Sequence, residues 1–153
     1  MIANLLLACT MVTATVIIHF AGLLGLLRLL DSRGHGFRAQ ESKLGQGALI
    51  VSVVLGLFAI HAVEIWLYAM VYVAIGAVTG FDTALYFSTT SFASIGYGDI
   101  VLDHRWRLVG AFEGVNGLML IGWSTAFLLS LMTRLRSLEH DWLERGPANK
   151  KPR

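Results

Sequence analysis

The chain has 153 residues, of which 56% are hydrophobic and only 14% charged, and its net charge is +2. Soluble domains carry about 25% charged residues, so this composition indicates a membrane protein. The single cysteine, Cys9, excludes a disulfide within one chain. Because nucleotide-binding motifs and zinc-ligand spacings are missing from the sequence, we expect no organic cofactor, no nucleic-acid partner and no enzymatic activity.

The first segment, residues 1–30, contains no Asp, Glu, Lys or Arg before Arg28. This apolar run is too long for a cleaved signal peptide, so we predict a first transmembrane helix over residues 3–30. Neither this segment nor the later apolar segments carry the spaced arginines of a voltage sensor. We therefore expect that the protein is not gated by a voltage sensor.

Residues 31–43 are polar and predict a short cytoplasmic loop. The second apolar run, residues 44–78, exceeds the roughly 20 residues that cross a bilayer core, which predicts a tilted or projecting helix. Gly80 is expected to end that helix, and Asp82 or Thr83 to cap the next one. Residues 82–92 are too short to span a membrane.

The most informative stretch is Ser94-Ile95-Gly96-Tyr97-Gly98-Asp99, which precedes a last apolar helix predicted at residues 106–134 and a tail at 135–153. Glycine adopts positive φ at little cost, and a strand of alternating handedness can aim consecutive carbonyls to one side. The stretch resembles the selectivity filter of potassium channels, usually Thr-Val-Gly-Tyr-Gly-Asp. The chain is identified as a member of the pore-loop superfamily of small prokaryotic-type potassium channels, with one extra N-terminal helix.

This resemblance implies an all-α membrane protein with three transmembrane helices, a re-entrant pore helix (82–92) and a filter (94–98). The pore module would span residues 44–134 and assemble as a symmetric homotetramer. K⁺ ions would be coordinated by the carbonyls of Ser94, Ile95, Gly96 and Tyr97 and by the Ser94 hydroxyl, with Gly98 shaping the outer mouth. Serine and isoleucine stand where the family usually has threonine and valine, and neither change removes a ligand oxygen.

The resemblance also implies residues that support the filter. Tyr86 and Phe87 match pore-helix aromatics that brace it, by packing rather than by chemistry. Thr90 stands where the best-known bacterial relatives have a glutamate paired with the residue matching Asp99, so Asp99 must find another partner. Gly117 matches a glycine hinge of the inner helix, and close helix packing is an equally good interpretation.

Polar side chains inside the apolar helices form the last group of candidates. His61 and Glu64 share a helix face, and His19 lies at a depth that could meet them. They form either a proton-sensitive latch or, as we favour, a neutral hydrogen-bonded pair that holds helices together. Glu113 is either a charge in the pore cavity that concentrates cations or a packed partner of the pore helix. The same two interpretations apply to Asn116.

The positive-inside rule predicts the orientation. The first loop and the tail contain nearly all Lys and Arg residues, so both are placed in the cytoplasm and the N-terminus outside. We expect an integral protein of the plasma (inner) membrane. Leu131, Leu135, Leu138 and Trp142 lie on one stripe, which predicts either a tetramerising bundle or a basic tail on anionic lipid.

Potassium-selective passive conduction is the main functional prediction. The alternatives are a weakly selective monovalent cation channel, a non-conducting membrane scaffold, and a membrane metalloenzyme that uses His19, His61 and Glu64 as ligands. The metalloenzyme interpretation leaves the Gly-Tyr-Gly stretch without a role.

Overall fold

The computed structural model describes residues 2–32 and 43–144, with side chains described for 2–30 and 44–133. These residues form four α-helices: α1 (Ile2–Ser32), α2 (Lys43–Ala74), α3 (Phe81–Phe92) and α4 (Arg107–Glu144). By length and composition, three segments can cross a membrane: Ile2–Leu30, Leu44–Ala74 and Arg107–Thr133. The predicted all-α membrane fold, with three spans and one short helix between the second and third, is therefore confirmed.

Helix α2 ends at Ala74, four residues before the predicted boundary at Val78, and its terminator is Gly76 rather than Gly80. Gly76 has φ +68°, and its N–H donates to Val73 O at 3.1 Å while Ala77 N–H donates to Tyr72 O at 2.9 Å. These two bonds form a Schellman motif, which closes a helix on a left-handed glycine.

Gly80 instead precedes α3 as its N-cap residue, with φ +88°, and no side chain caps this end. The predicted capping by Asp82 or Thr83 is therefore wrong, because α3 begins one residue earlier than expected, at Phe81. Ala84 N–H donates to Gly80 O at 3.1 Å and opens the helix.

Helix α4 is continuous from Arg107 to Glu144, so the backbone of the predicted tail is helical as far as Glu144. The loop residues 33–42 and the tail residues 145–153 lie outside the described part of the chain, as do the side chains of 134–144. The two predictions for the tail stripe, a bundle or a lipid contact, therefore concern side chains that lie largely outside the description.

Helices α1 and α4 run parallel to each other and antiparallel to α2. The side chain of Asn4 donates to Arg105 O at one end of the bundle. A large apolar cluster joins α2, α3 and α4 around Tyr68, Tyr72, Phe87 and Phe92. A smaller one joins α1 to α2 and α4 near the other end. This packing places α3 and the segment after it against α2 and α4.

Candidate ion-conduction site and its polar supports

The Gly-Tyr-Gly segment, Ser94–Gly98, has an alternating backbone. Ser94, Gly96 and Gly98 have φ of +55°, +55° and +77°, and Ser94 is the only non-glycine residue with positive φ among those described. Residues with positive φ alternate here with residues with negative φ. This alternation rotates successive peptide units so that their carbonyls can face one side. Within the described ranges, the carbonyl oxygens of Ser94 to Tyr97 accept no hydrogen bond.

The amides of the same segment are bonded to the end of α3. Ile95 N–H and Gly96 N–H both donate to Thr90 O, at 2.9 and 3.1 Å, and Ser94 N–H donates to Ser91 O at 2.9 Å. These bonds satisfy carbonyls that a helix C-terminus leaves unpaired. Thr90 therefore supports the segment through its main chain, while its hydroxyl bonds within the helix to Phe87 O.

The Ser94 side chain connects the segment to α4, because its hydroxyl donates to Gly114 O at 3.1 Å. The hydroxyl hydrogen is used in this contact, which leaves the oxygen lone pairs available to a cation. Serine thus retains the oxygen that the sequence analysis assigned to the innermost ion site.

Tyr86 provides a partner for Asp99 that the sequence analysis did not identify. The phenol donates to Asp99 Oδ2 at 2.8 Å across the Gly-Tyr-Gly segment. This hydrogen bond, more than any other influence, raises the pKa of Tyr86. The folded protein therefore keeps the Tyr86 phenol protonated beyond the ordinary tyrosine pKa of about 10. The stability that this hydrogen bond contributes is fully present below about pH 10 and is lost as the pH rises through the raised pKa. Phe87, in contrast, packs edge-on against Tyr72 at 5.3 Å, and its predicted role of bracing the filter stays a prediction.

Glu113 is fully buried and contacts the short helix. Tyr72 OH donates to its Oε2 at 2.6 Å, and Ser88 Oγ lies 2.5 Å from its Oε1. Two roles were predicted for Glu113, a cavity charge or a packed partner of the pore helix. In the single chain Glu113 packs against α3, which corresponds to the second role. Ser88 Oγ also lies 2.9 Å from Ile65 O. The Glu113 cluster (Tyr72, Ser88, Glu113) thus joins α2, α3 and α4.

Asn116 is also buried between helices, where its amide donates to Thr15 Oγ1 at 2.8 Å and to Tyr68 OH at 3.3 Å. It therefore joins α4 to α1 and α2. Both of its contacts are interhelical bonds of the kind that hold membrane helices together.

His19, His61 and Glu64 meet as the sequence analysis anticipated. Glu64 Oε1 lies 3.0 Å from His19 Nδ1, and Glu64 Oε2 lies 2.9 Å from His61 Nδ1. The cluster has a fourth member that the sequence analysis missed, Ser124, whose Oγ lies 3.0 Å from His61 Nε2 and 3.4 Å from His19 Nε2. We call these four residues the histidine cluster.

The missed partners share a signal that was present in the sequence. Polar residues recur at steps of three or four within apolar helices, and such steps place side chains on one helix face. Together they form a polar seam with members on α1, α2 and α4: Thr15, His19, Glu64, Tyr68, Tyr72, Glu113, Asn116 and Ser124. Among the described residues, no buried side-chain nitrogen or oxygen lacks a hydrogen-bond partner.

Gly117 lies against the end of α3. A Cβ at this position would lie 2.1 Å from Phe92 O and 2.7 Å from Phe92 C. Close packing thus accounts for the glycine, and the predicted gating hinge stays a prediction.

Comparison with known proteins places these observations in a family. A family model described as an ion channel matches residues 50–134, which is more than half of the chain. The chain belongs to this family of ion channels. No curated protein and no solved structure matches it. Membership in a channel family confirms both the predicted resemblance and the prediction that the chain is not an enzyme.

Proposed function

We propose that this ion channel conducts K⁺ passively through a homotetrameric pore lined by the Gly-Tyr-Gly segment. The observation that carries the proposal is the alternation of positive φ at Ser94, Gly96 and Gly98, together with carbonyls that accept no hydrogen bond in the described chain. Rings of such carbonyls can replace the water of a dehydrated alkali ion. K⁺ is the transported ion, held at Ser94, Ile95, Gly96 and Tyr97, and catalysis of its passage involves no covalent step.

What a single chain leaves uncovered supports an oligomer, and the family resemblance implies four copies. Ile95 and Tyr97 are 53% and 69% exposed. Unpaired backbone at membrane depth is tolerated only when it is buried in protein or lines a water-filled cavity. Four copies around an axis would meet both conditions, with side chains covered by neighbours and carbonyls facing the ion.

Helix α3 contributes to the same site electrostatically. Its C-terminal end precedes the segment directly, and the C-terminal end of a helix carries partial negative charge. Four such ends directed at the pore axis would favour a cation below the segment. The orientation that we propose keeps the N-terminus outside and the tail in the cytoplasm of the inner membrane, as the distribution of Lys and Arg favours.

The test is reconstitution of the full chain into liposomes, followed by K⁺ flux with Ba²⁺ block as a control. The key variant is Gly96→Ala, because alanine is strained at φ +55°. We expect this variant to lose at least nine-tenths of the K⁺ flux. Gly25→Ala is the matched control, since Gly25 is helical and an added Cβ there meets nothing within 4 Å.

Reversal potentials in mixed Na⁺ and K⁺ separate the proposal from a weakly selective cation channel. A potential that follows the K⁺ gradient supports it. A potential near zero with equal total cation on both sides would favour the weakly selective channel, and absence of any Ba²⁺-sensitive flux would favour the non-conducting scaffold.

A further inference from the structure

The histidine cluster stands apart from the conduction site and joins three helices. His19 belongs to α1, His61 and Glu64 to α2, and Ser124 to α4. His19 and Glu64 are fully buried, whereas the His61 side chain is 16% exposed. His61 and Ser124 also line an apolar cavity of about 480 Å³ between α2, α3 and α4. The histidine cluster is thus enclosed at His19 and Glu64 and is accessible from the cavity at His61 and Ser124.

The hydrogen atoms of this cluster do not match its contacts. Four contacts form a ring: His19 to Glu64, Glu64 to His61, His61 to Ser124, and Ser124 to His19. A carboxylate supplies no hydrogen, while each neutral imidazole supplies one and the hydroxyl supplies one. Three hydrogens therefore serve four contacts. With Glu64 ionised, the ring therefore has a place for one more electrophilic partner, which is either a proton or a metal ion.

We propose that the missing partner is a divalent metal ion of the zinc type, bound by His19 Nδ1, His61 Nδ1 and the Glu64 carboxylate. Two histidines and one glutamate form a recognised zinc donor set with an open fourth position. Within the described ranges, these three residues are the only group whose ligand atoms approach closely enough to hold a metal.

The distances suit a small tetrahedral ion. The Glu64 oxygens lie 3.0 and 2.9 Å from the two Nδ1 atoms. Bonds of about 2.0–2.1 Å to a tetrahedral ion place neighbouring ligand atoms about 3.3 Å apart. The three ligand atoms lie within 4.8 Å of one another, so each separation must change by at most about 1.5 Å. With the metal on both Nδ1 atoms, each Nε2 carries a hydrogen.

Ser124 then has a defined role as a positioning residue. Its oxygen can accept from both Nε2–H groups, at 3.0 and 3.4 Å. Bonds of this kind orient metal-binding histidines and fix their tautomers. The metal completes every contact in the ring, and it joins α1 to α2 directly and to α4 through Ser124. It would therefore fasten the N-terminal helix to the part of the chain that matches the channel family.

The experiment measures metal in the purified full chain. After treatment with EDTA and dialysis, the protein is titrated with Zn²⁺ or Co²⁺, and we expect about one equivalent bound per chain, with the intense visible absorption of tetrahedral Co²⁺. Zn²⁺ should raise the thermal midpoint of the EDTA-treated protein. His61→Gln should remove the Co²⁺ absorption, and Ser124→Ala should weaken binding by about 10–100-fold.

His104→Gln is the matched control, since His104 is exposed on the loop before α4. It should leave both the absorption and the Zn²⁺ effect unchanged. The proposal is wrong if the wild type binds no metal or if the His61→Gln variant still binds metal as the wild type does. It is also wrong if EDTA and Zn²⁺ leave the thermal midpoint unchanged. That last result would indicate that a proton supplies the fourth contact. If His61→Gln does not fold, Ser124→Ala and the wild-type titration decide the question.

Discussion

At the scale of single residues, each acidic side chain within the spans is paired with polar side chains, and at least one of these belongs to another helix. Glu64 and Glu113 are both fully buried, and each is approached by two polar side chains. An ionisable group in a membrane interior is costly unless it is paired. The pairing explains how two carboxyl groups are accommodated in helices that are otherwise apolar.

Glu113→Gln and Glu113→Ala should differ clearly in stability. Glutamine offers a carbonyl to Tyr72 OH and an amide N–H to Ser88 Oγ, so we expect its thermal midpoint to stay within a few degrees of the wild type. Alanine leaves both buried hydroxyls without that acceptor, which should cost about 1–3 kcal/mol. Thermal unfolding in detergent measures both. Equal losses for the two variants would show that the hydrogen bonds around Glu113 contribute little.

At the scale of helices, glycines determine how closely the elements approach one another. Helices α1 and α2 pack closely at two glycines, one on each helix. Ile60 of α2 packs on Gly22 of α1, and Leu26 of α1 packs on Gly56 of α2. A Cβ added at either glycine would lie 2.7 Å from the facing side chain. Small residues at membrane-helix interfaces allow such close approach. The contact of Gly117 with α3 is tighter still, because it meets backbone atoms that cannot rotate away.

Gly117→Ala should displace the end of α3 and the Gly-Tyr-Gly segment that follows it. A Cβ 2.1 Å from Phe92 O requires a backbone shift, so we expect a lower thermal midpoint together with reduced K⁺ flux. Gly122→Ala is the control on the same helix, since its Cβ would meet nothing within 4 Å. It should be neutral or stabilising by up to about 1 kcal/mol. A role as a gating hinge alone would predict altered flux with an unchanged thermal midpoint for Gly117→Ala.

At the scale of the whole molecule, the exposed surface of a single chain bears on the proposed tetramer. Val115, Leu118 and Met119 on α4 are 62%, 61% and 70% exposed, and their spacing places them on one face. In a membrane such a face can contact lipid or another subunit. Together with the exposed Gly-Tyr-Gly segment, it favours contact between the α4 helices of neighbouring chains.

Native mass spectrometry of the detergent-solubilised chain should therefore give the mass of four chains. We expect Leu118→Lys, which places a charge on the exposed α4 face, to reduce the tetramer fraction at least tenfold. Leu55→Lys is the matched control, because Leu55 is 63% exposed on α2. A monomer or dimer for the wild type under mild detergent conditions would contradict the proposed tetramer.

The sequence alone sufficed for features that depend on local patterns. Long uncharged runs determine three spans, because a bilayer core requires about 20 apolar residues. Residues 94–99 indicated the channel family because they stand in the required context, after an apolar segment and a short helix and before a second apolar segment. The proximity of His19 to His61 and Glu64 was also predictable, because all three lie at similar depths in adjacent spans.

Only the tertiary structure decided which polar side chains meet. Ser124 as the partner of both histidines, Ser88 and Tyr72 as partners of Glu113, and Tyr86 as the partner of Asp99 each depend on the rotation of one helix about its axis. That rotation is determined by packing against several neighbours at once, and local periodicity does not contain it. The end of α2 at Gly76 likewise depended on backbone bonds to Val73 and Tyr72, which no composition pattern distinguished from an end at Gly80.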